Sequence, residues 1–224
     1  MATLSTTNLS TITLSTTPTP KPSKPNHVPI LKPLATSLAA ASLLLSSPTL
    51  SSPSFNVYYG TAASAANYGG YGGNSSKQAS AEYTYEVPAD WKERLVSKVE
   101  KGTNGTDSEF FNPKKRSERV YLTFLSGFRT LAPMDTVLSN LALSDVELQD
   151  LITGADSVRA EEKKDGNGQV YYEYEIEAAG AHRLISVTCA RNKLYAHFVA
   201  APNPEWQRDH DTLTRIHDSF KTVS

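Results

Sequence analysis

The sequence predicts an α+β domain, an antiparallel β-sheet flanked by helices, behind a disordered N-terminal targeting region. Three observations point there. Stretches alternating apolar and polar residues cluster in the middle and late chain, helical periodicities are grouped instead of alternating with them, and the first 81 residues contain no Asp, Glu or Arg. Grouped strands and helices favour an antiparallel sheet with helices on its faces.

The leader comes first. From Met1 to Ala81 the only charges are Lys21, Lys24, Lys32 and Lys77, in a Ser/Thr/Pro-rich background such as "STTNLSTITLSTTPTPKPSKP". Acid-poor, hydroxyl-rich starts of this kind mark organelle transit peptides, although the usual arginines are missing, and residues 1–33 are read as one. Lys32 then precedes "PLATSLAAASLLLSS", an apolar run of signal-peptide length that falls short of the roughly 20 residues a membrane span needs. With the A-x-A pattern Ala63-Ser64-Ala65, residues 34–65 read as a second signal, with cleavage expected after Ala65. Two signals in series imply two translocations, into a plastid and across the thylakoid membrane into the lumen. No Arg pair precedes the apolar run, so a Sec-like route is the default.

Residues 66–224 have the length of one domain and need neither disulfide nor metal for stability. The single Cys189 cannot form an internal bridge. With 19 basic against 23 acidic side chains, this portion is a poor partner for nucleic acid. It holds no apolar run able to cross a membrane, so a peripheral or soluble protein is implied.

Each element follows from pattern. Residues 66–81, with "ANYGGYGGNSSKQAS", have the Gly/Ser/Asn content of a flexible arm, whose tyrosines could act as adhesive points. The domain is expected over 82–224. "YTYEV" alternates, with Tyr83, Tyr85 and Val87 on one face, and Pro88-Ala89-Asp90 turns the chain. "ERLVSKVE" is a second candidate strand, "KGTNGTDS" a loop, and "EFFNP" a third strand. "ERVYLTFLSGF" is apolar on both faces, as a central strand should be.

The period then becomes helical. Pro133 suits a first helical turn, and Ser144-Asp-Val-Glu147 reads as a capping box ahead of Leu148, Leu151 and Ile152, with Gly154 as the stop. "SVRAEEK", "QVYYEYEIE", "HRLISVTCAR" and "KLYAHFVAA" form a strand meander joined by the turns "KDGNG" and "ARNK". In it Val170, Tyr172, Tyr174 and Ile176 are expected inward and Glu173, Glu175 and Glu177 toward water. Asn203 is expected to cap a closing helix, Pro204 to take its first position, and Trp206, Leu213, Ile216 and Phe220 to form its buried stripe.

The order "YEVPADW", a central "YLTF", a short helical section, "DGNGQVYYEYEIE", "HRLISVTCARNKLYAHFV" and "PEW" resembles the PsbP-like proteins of the thylakoid lumen over nearly all of residues 82–223. The resemblance implies an α/β/α sandwich and a non-catalytic, extrinsic protein. Founding members of that family act on the lumenal side of photosystem II, helping to retain the calcium and chloride of water oxidation. Paralogues serve assembly of photosystem I or of the chloroplast NADH dehydrogenase-like complex, so the fold alone does not choose the task. The resemblance also implies a metal pair, a histidine entering the penultimate strand and an acid before the last helix. These fall at His182 and at Asn203, the second a weak ligand and a good helix cap.

Other candidates carry two readings each. Asp165-Gly166-Asn167-Gly168 hints at calcium but lacks the bidentate Glu of a full calcium loop, and reads as a hairpin turn. Lys114, Lys115, Arg116 and Arg119 are the one dense basic cluster, either a solvated loop or a docking site for an acidic lumenal surface. His210 and His217 lie near the closing stripe, either partly covered or responsive to lumenal acidity. Cys189 shares a strand face with Ile185 and Val187 and reads as a structural thiol. No H-E-x-x-H, Walker A or G-x-S-x-G motif is present, and no enzyme is expected. The alternative class is a soluble lumenal carrier of calcium or a small ligand.

Overall fold

The computed structural model describes residues 53–62 and 78–223, so the expected cleavage residues Ala63 and Ala65 and most of the Tyr/Gly-rich arm lie outside the described residues. Among the described residues, ten strands form two antiparallel sheets and four helices accompany them, most packed against the larger sheet.

Four strands of the larger sheet form the expected meander: β6 (Ala155–Lys164), β7 (Val170–Ala178), β8 (Ala181–Ala190) and β9 (Lys193–Pro202). Strand β9 returns beside β5 (Lys115–Ser126), which pairs with β4 (Thr106–Asn112) and through it with the two-residue β3 (Lys92–Glu93). The order is β3-β4-β5-β9-β8-β7-β6. The smaller sheet places β2 (Tyr83–Pro88) between β1 (Phe55–Gly60) and β10 (Lys221–Thr222).

Side chains alternate along the central strands, and each parity builds its own core. On one face Val120, Leu122, Leu184, Tyr195 and Val199 meet β2 and the stripe Trp206, Leu213, Ile216 and Phe220, the first three carried by helix α4 (Asn203–Asp218). On the opposite face Tyr174, Ile176, Ile185, Val187 and Phe198 meet Val137 and Leu141 of helix α2 (Met134–Ser144) and Leu148 of helix α3 (Val146–Thr153). The expected sandwich is present, with β5, β7, β8 and β9 covered on both sides.

Several local expectations are corrected. "ERLVSKVE" is not a strand. After Glu93 the chain enters helix α1 (Lys98–Thr103), started by a capping box in which Ser97 Oγ accepts from the Glu100 amide at 3.2 Å and a Glu100 carboxylate oxygen accepts from the Ser97 amide at 2.9 Å. "KGTNGTDS" is only partly a loop, because β4 already begins at Thr106. The turn into it needs Gly105, whose φ is +69° and where a β-carbon would stand 2.5 Å from the Phe124 carbonyl oxygen. Pro133 precedes α2 as its N-cap. Asp145, not Ser144, caps α3: its Oδ1 accepts from the Leu148 amide at 3.0 Å, while Ser144 Oγ donates back to the Leu141 carbonyl. Asn203 is the first residue of α4 and does not cap it. Its amide nitrogen donates to the Ala178 carbonyl at 2.7 Å, and Pro202 holds the N-cap position with Pro204 inside the first turn.

In β7, Tyr174 and Ile176 are buried and Glu177 is exposed as expected, while Val170 and Tyr172 are half-buried. Glu173 and Glu175 are partly covered. They lie on the α4 side of the sheet, where Glu173 accepts from Ser186 Oγ at 2.9 Å and Glu175 meets His182. Cys189 is half-buried, and burial raises its thiol pKa. The Asp165 turn is a hairpin turn, with Asp165 Oδ1 accepting from the backbone amides of Asn167 and Gln169. Strands β1 and β10 are found where no strand is expected from pattern.

Candidate functional site: a docking surface

The basic cluster sits on the β4–β5 hairpin and the strand that follows it. Asn112 Oδ1 accepts from the Lys114 amide, tightening the turn, and β5 begins at Lys115. Strand geometry then spreads the four charges. Lys114 reaches Asp90 at 3.7 Å, Lys115 turns toward α4 and meets Glu205 at 3.4 Å, and Arg119 turns toward α3 and pairs with Glu147. Arg116 is exposed, lies over the Phe111 ring at 5.4 Å from its centroid, and has no carboxylate partner among the described residues. The cluster is thus a basic edge with three internally matched charges and one free guanidinium. An exposed pair such as Lys114–Asp90 contributes at most about 1 kcal/mol, so exchanging its partner for one on another protein costs little.

Beneath this edge Glu118 is 1% exposed, held by Asn112 Nδ2 at 2.6 Å and by Arg208 at 2.8 Å. Burial raises its pKa, and the Asn112 hydrogen bond opposes the rise. It anchors β5 to α4 and was not legible as a special residue from sequence.

Beside Arg119 a groove of about 310 Å³ runs between the α1–β4 region and the α2–α3 junction, with Arg94, Glu109, Tyr121, Asp145, Val146 and Glu147 among its walls. Arg94 is braced by Glu109 at 2.7 Å and Glu100 at 2.8 Å. Val146, in the groove wall, is 71% exposed, and Leu143 (80%), Leu95 (85%) and Val99 (74%) are further apolar side chains left in water. Contiguous exposed apolar patches mark contact with a partner. These exposed side chains are not legible in the sequence because the six residues of α1 carry no helical period and Leu143 and Val146 straddle a helix junction.

His182 and Asn203 both have partners within the fold. His182 Nε2 lies 3.0 Å from Glu175 Oε1, and the ring is stacked on Trp206. Burial lowers its pKa, against the upward pull of Glu175. Asn203 offers an amide in place of a carboxylate, its nitrogen spent on Ala178 and its oxygen buried without a hydrogen-bond partner. Among the described residues no three His, Cys, Asp or Glu side chains gather to hold a metal. This donor set fits neither a transition metal nor calcium, which takes six to eight oxygens.

The other histidines divide. His210 is exposed and lies 3.3 Å from Asp211. His217 is 7% exposed, with Nε2 2.6 Å from Glu173 Oε2. It neighbours His197, missed in the sequence, which is fully buried between Tyr85 and Phe220 with neither ring nitrogen hydrogen-bonded. Burial, and then His217, hold the His197 pKa well below its ordinary value.

The chain is 68% identical over 196 residues to the thylakoid lumenal 19 kDa protein, chloroplastic, of Arabidopsis thaliana, covering 85% of this chain and 86% of that one. It is 28% identical over 149 residues to the PsbP domain-containing protein 4, chloroplastic, of the same plant, covering 63% and 56% of the two chains. The solution structure of cyanobacterial PsbP from Synechocystis sp. PCC 6803 matches with a TM-score of 0.52 at 20% identity, covering 80% of this chain and 99% of that one, and so shares the fold. The protein is a thylakoid lumenal protein of the chloroplast. Among the described residues no helix is long and apolar enough to cross a membrane. Residues 73–222 match the PsbP family model, and the chain belongs to the PsbP family.

Proposed function

We propose that this chain is a non-catalytic, extrinsic lumenal subunit that docks on a photosynthetic membrane complex, photosystem II on its oxygen-evolving, calcium-retaining side. The observation that carries this reading is the groove beside the basic β4–β5 edge, whose wall includes the 71%-exposed Val146, together with the exposed apolar side chains of Leu95, Val99 and Leu143. Apolar groups supply contact energy at an interface, and the surrounding charges set orientation and association rate. Membership of the family supports the lumenal setting and leaves the complex open, so assembly of photosystem I or of the NADH dehydrogenase-like complex is the competing assignment.

Two variants test the reading in isolated thylakoid membranes. Charge reversal at Lys114, Lys115, Arg116 and Arg119 is expected to release the protein at lower salt than wild type. The pair Leu143→Glu and Val146→Glu is expected to weaken attachment at every salt concentration. Unchanged release by both variants contradicts this surface as the docking face.

A further inference from the structure

Strand β1 falls within residues 34–65, the stretch whose composition reads as a membrane-transfer signal, yet it is paired along its whole length as the edge strand of the smaller sheet. All six residues of Phe55–Gly60 pair with β2, from Phe55 opposite Pro88 to Gly60 opposite Tyr83. The pairing is bracketed by hydrogen bonds from the Ala89 amide to the Ser54 carbonyl and from the Glu82 amide to the Gly60 carbonyl. The Tyr58 ring meets Phe110 edge-on at 5.1 Å and tilts on Tyr85 at 5.3 Å. The Arg215 guanidinium covers the Phe55 ring at 3.9 Å.

The fit is specific at Gly60. A β-carbon there would stand 1.9 Å from Cζ of Tyr83, so the ring crosses the strand where only glycine leaves room. Two residues on, Ala62 is 1% exposed and its carbonyl accepts from Lys193 Nζ at 3.2 Å.

A cut after Ala65 would remove all of this. Strand β2 would keep only the two-residue β10 as a partner, and Tyr83 and Tyr85, now 0% and 1% exposed, would lose one cover. Their hydroxyls tie β2 to Asp107 and Ser108, so the loss would reach the larger sheet. A disposable leader gains nothing from a residue-by-residue match to the core it leaves.

We infer that leader removal cuts N-terminal to Phe55 and that the mature lumenal protein retains β1 as a permanent strand. The step is hydrolysis of one peptide bond upstream of Phe55, consuming one water and releasing the leader as a separate peptide. The small-residue pattern at Ala63 and Ala65 is then a feature of the mature chain. This inference rests on the lumenal location and is independent of which complex the protein joins.

The test imports the full precursor into isolated chloroplasts and determines the mature N-terminus by intact mass and N-terminal peptide analysis. An N-terminus at or before Phe55 is expected; one at residues 63–66 overturns the inference. A second arm imports full precursors carrying Gly60→Val or, as a control, Val57→Ala at a position 47% exposed. The Gly60→Val mature protein is expected to be digested at least tenfold faster than wild type by a protease that spares the control. Equal resistance of Gly60→Val and wild type overturns it, because a strand lost with the leader cannot transmit the substitution.

Discussion

The imidazole of His182 lies flat on the indole of Trp206, ring centroids 3.7 Å apart and planes inclined by 9°. The stack joins β8 to the first turns of α4, and Glu175 at 3.0 Å from Nε2 fixes the ring from β7. The histidine that a family resemblance suggests as a ligand packs here on an indole. Trp206→Ala removes a large side chain only 9% exposed and is expected to destabilise the domain by about 3–5 kcal/mol, measured by urea unfolding. His182→Ala is expected to leave the response of the melting temperature to added manganese or calcium unchanged; a lost metal-dependent rise would show the residue to be a ligand.

Burial holds both His182 and His197 below the ordinary histidine pKa, with His217 adding to the shift at His197 and Glu175 opposing it at His182. Below about pH 6.5 the unfolded chain binds protons that the folded chain refuses, so stability falls as pH drops. The slope for one such histidine approaches about 1.4 kcal/mol per pH unit. His197→Phe keeps the ring between Tyr85 and Phe220 and deletes two unpaired nitrogens. It is expected to match or exceed wild-type stability at pH 7 and to flatten the decline between pH 6.5 and 5, read from denaturation midpoints. An unchanged slope contradicts the assignment.

Lys101 and Asp107 form a buried ion pair at 2.7 Å, their side chains 3% and 5% exposed, and Asp107 also accepts from the Tyr83 hydroxyl at 2.6 Å. Lys101→Met strands a carboxylate in the interior. The expected cost is about 3–5 kcal/mol by chemical denaturation.

The α3 cap separates two neighbouring residues. Asp145→Ala is expected to cost about 1 kcal/mol, because the Leu148 amide loses its acceptor, whereas Ser144→Ala is expected to cost clearly less. Equal effects in thermal unfolding would return the cap to Ser144.

How far the fold is legible follows from where its determinants lie. The β6–β9 meander and the Trp206, Leu213, Ile216, Phe220 stripe are written in local periodicity, and they form as expected. Helix α1 is hidden because six residues are too few for a period, although Ser97 and Glu100 do spell its capping box. Strand β1 is hidden because its six residues sit in a Ser/Pro/Ala-rich, acid-free stretch, and its justification, the Tyr83 ring over Gly60, is 23 residues away. The basic cluster was visible as a run, but its carboxylate partners Asp90, Glu147 and Glu205 are remote in sequence, so its neutralisation was not. Alternation alone sends Glu173 and Glu175 to water, since the partial cover supplied from the α4 side is a tertiary fact.

The most direct measurement of the docking account is amine crosslinking in intact thylakoids, followed by mass spectrometry of the linked peptides. The account predicts links from Lys114 or Lys115 to lumen-facing segments of photosystem II. Links to a different complex would contradict the choice of photosystem II, and recovery of the protein wholly as an unlinked lumenal pool would contradict docking itself.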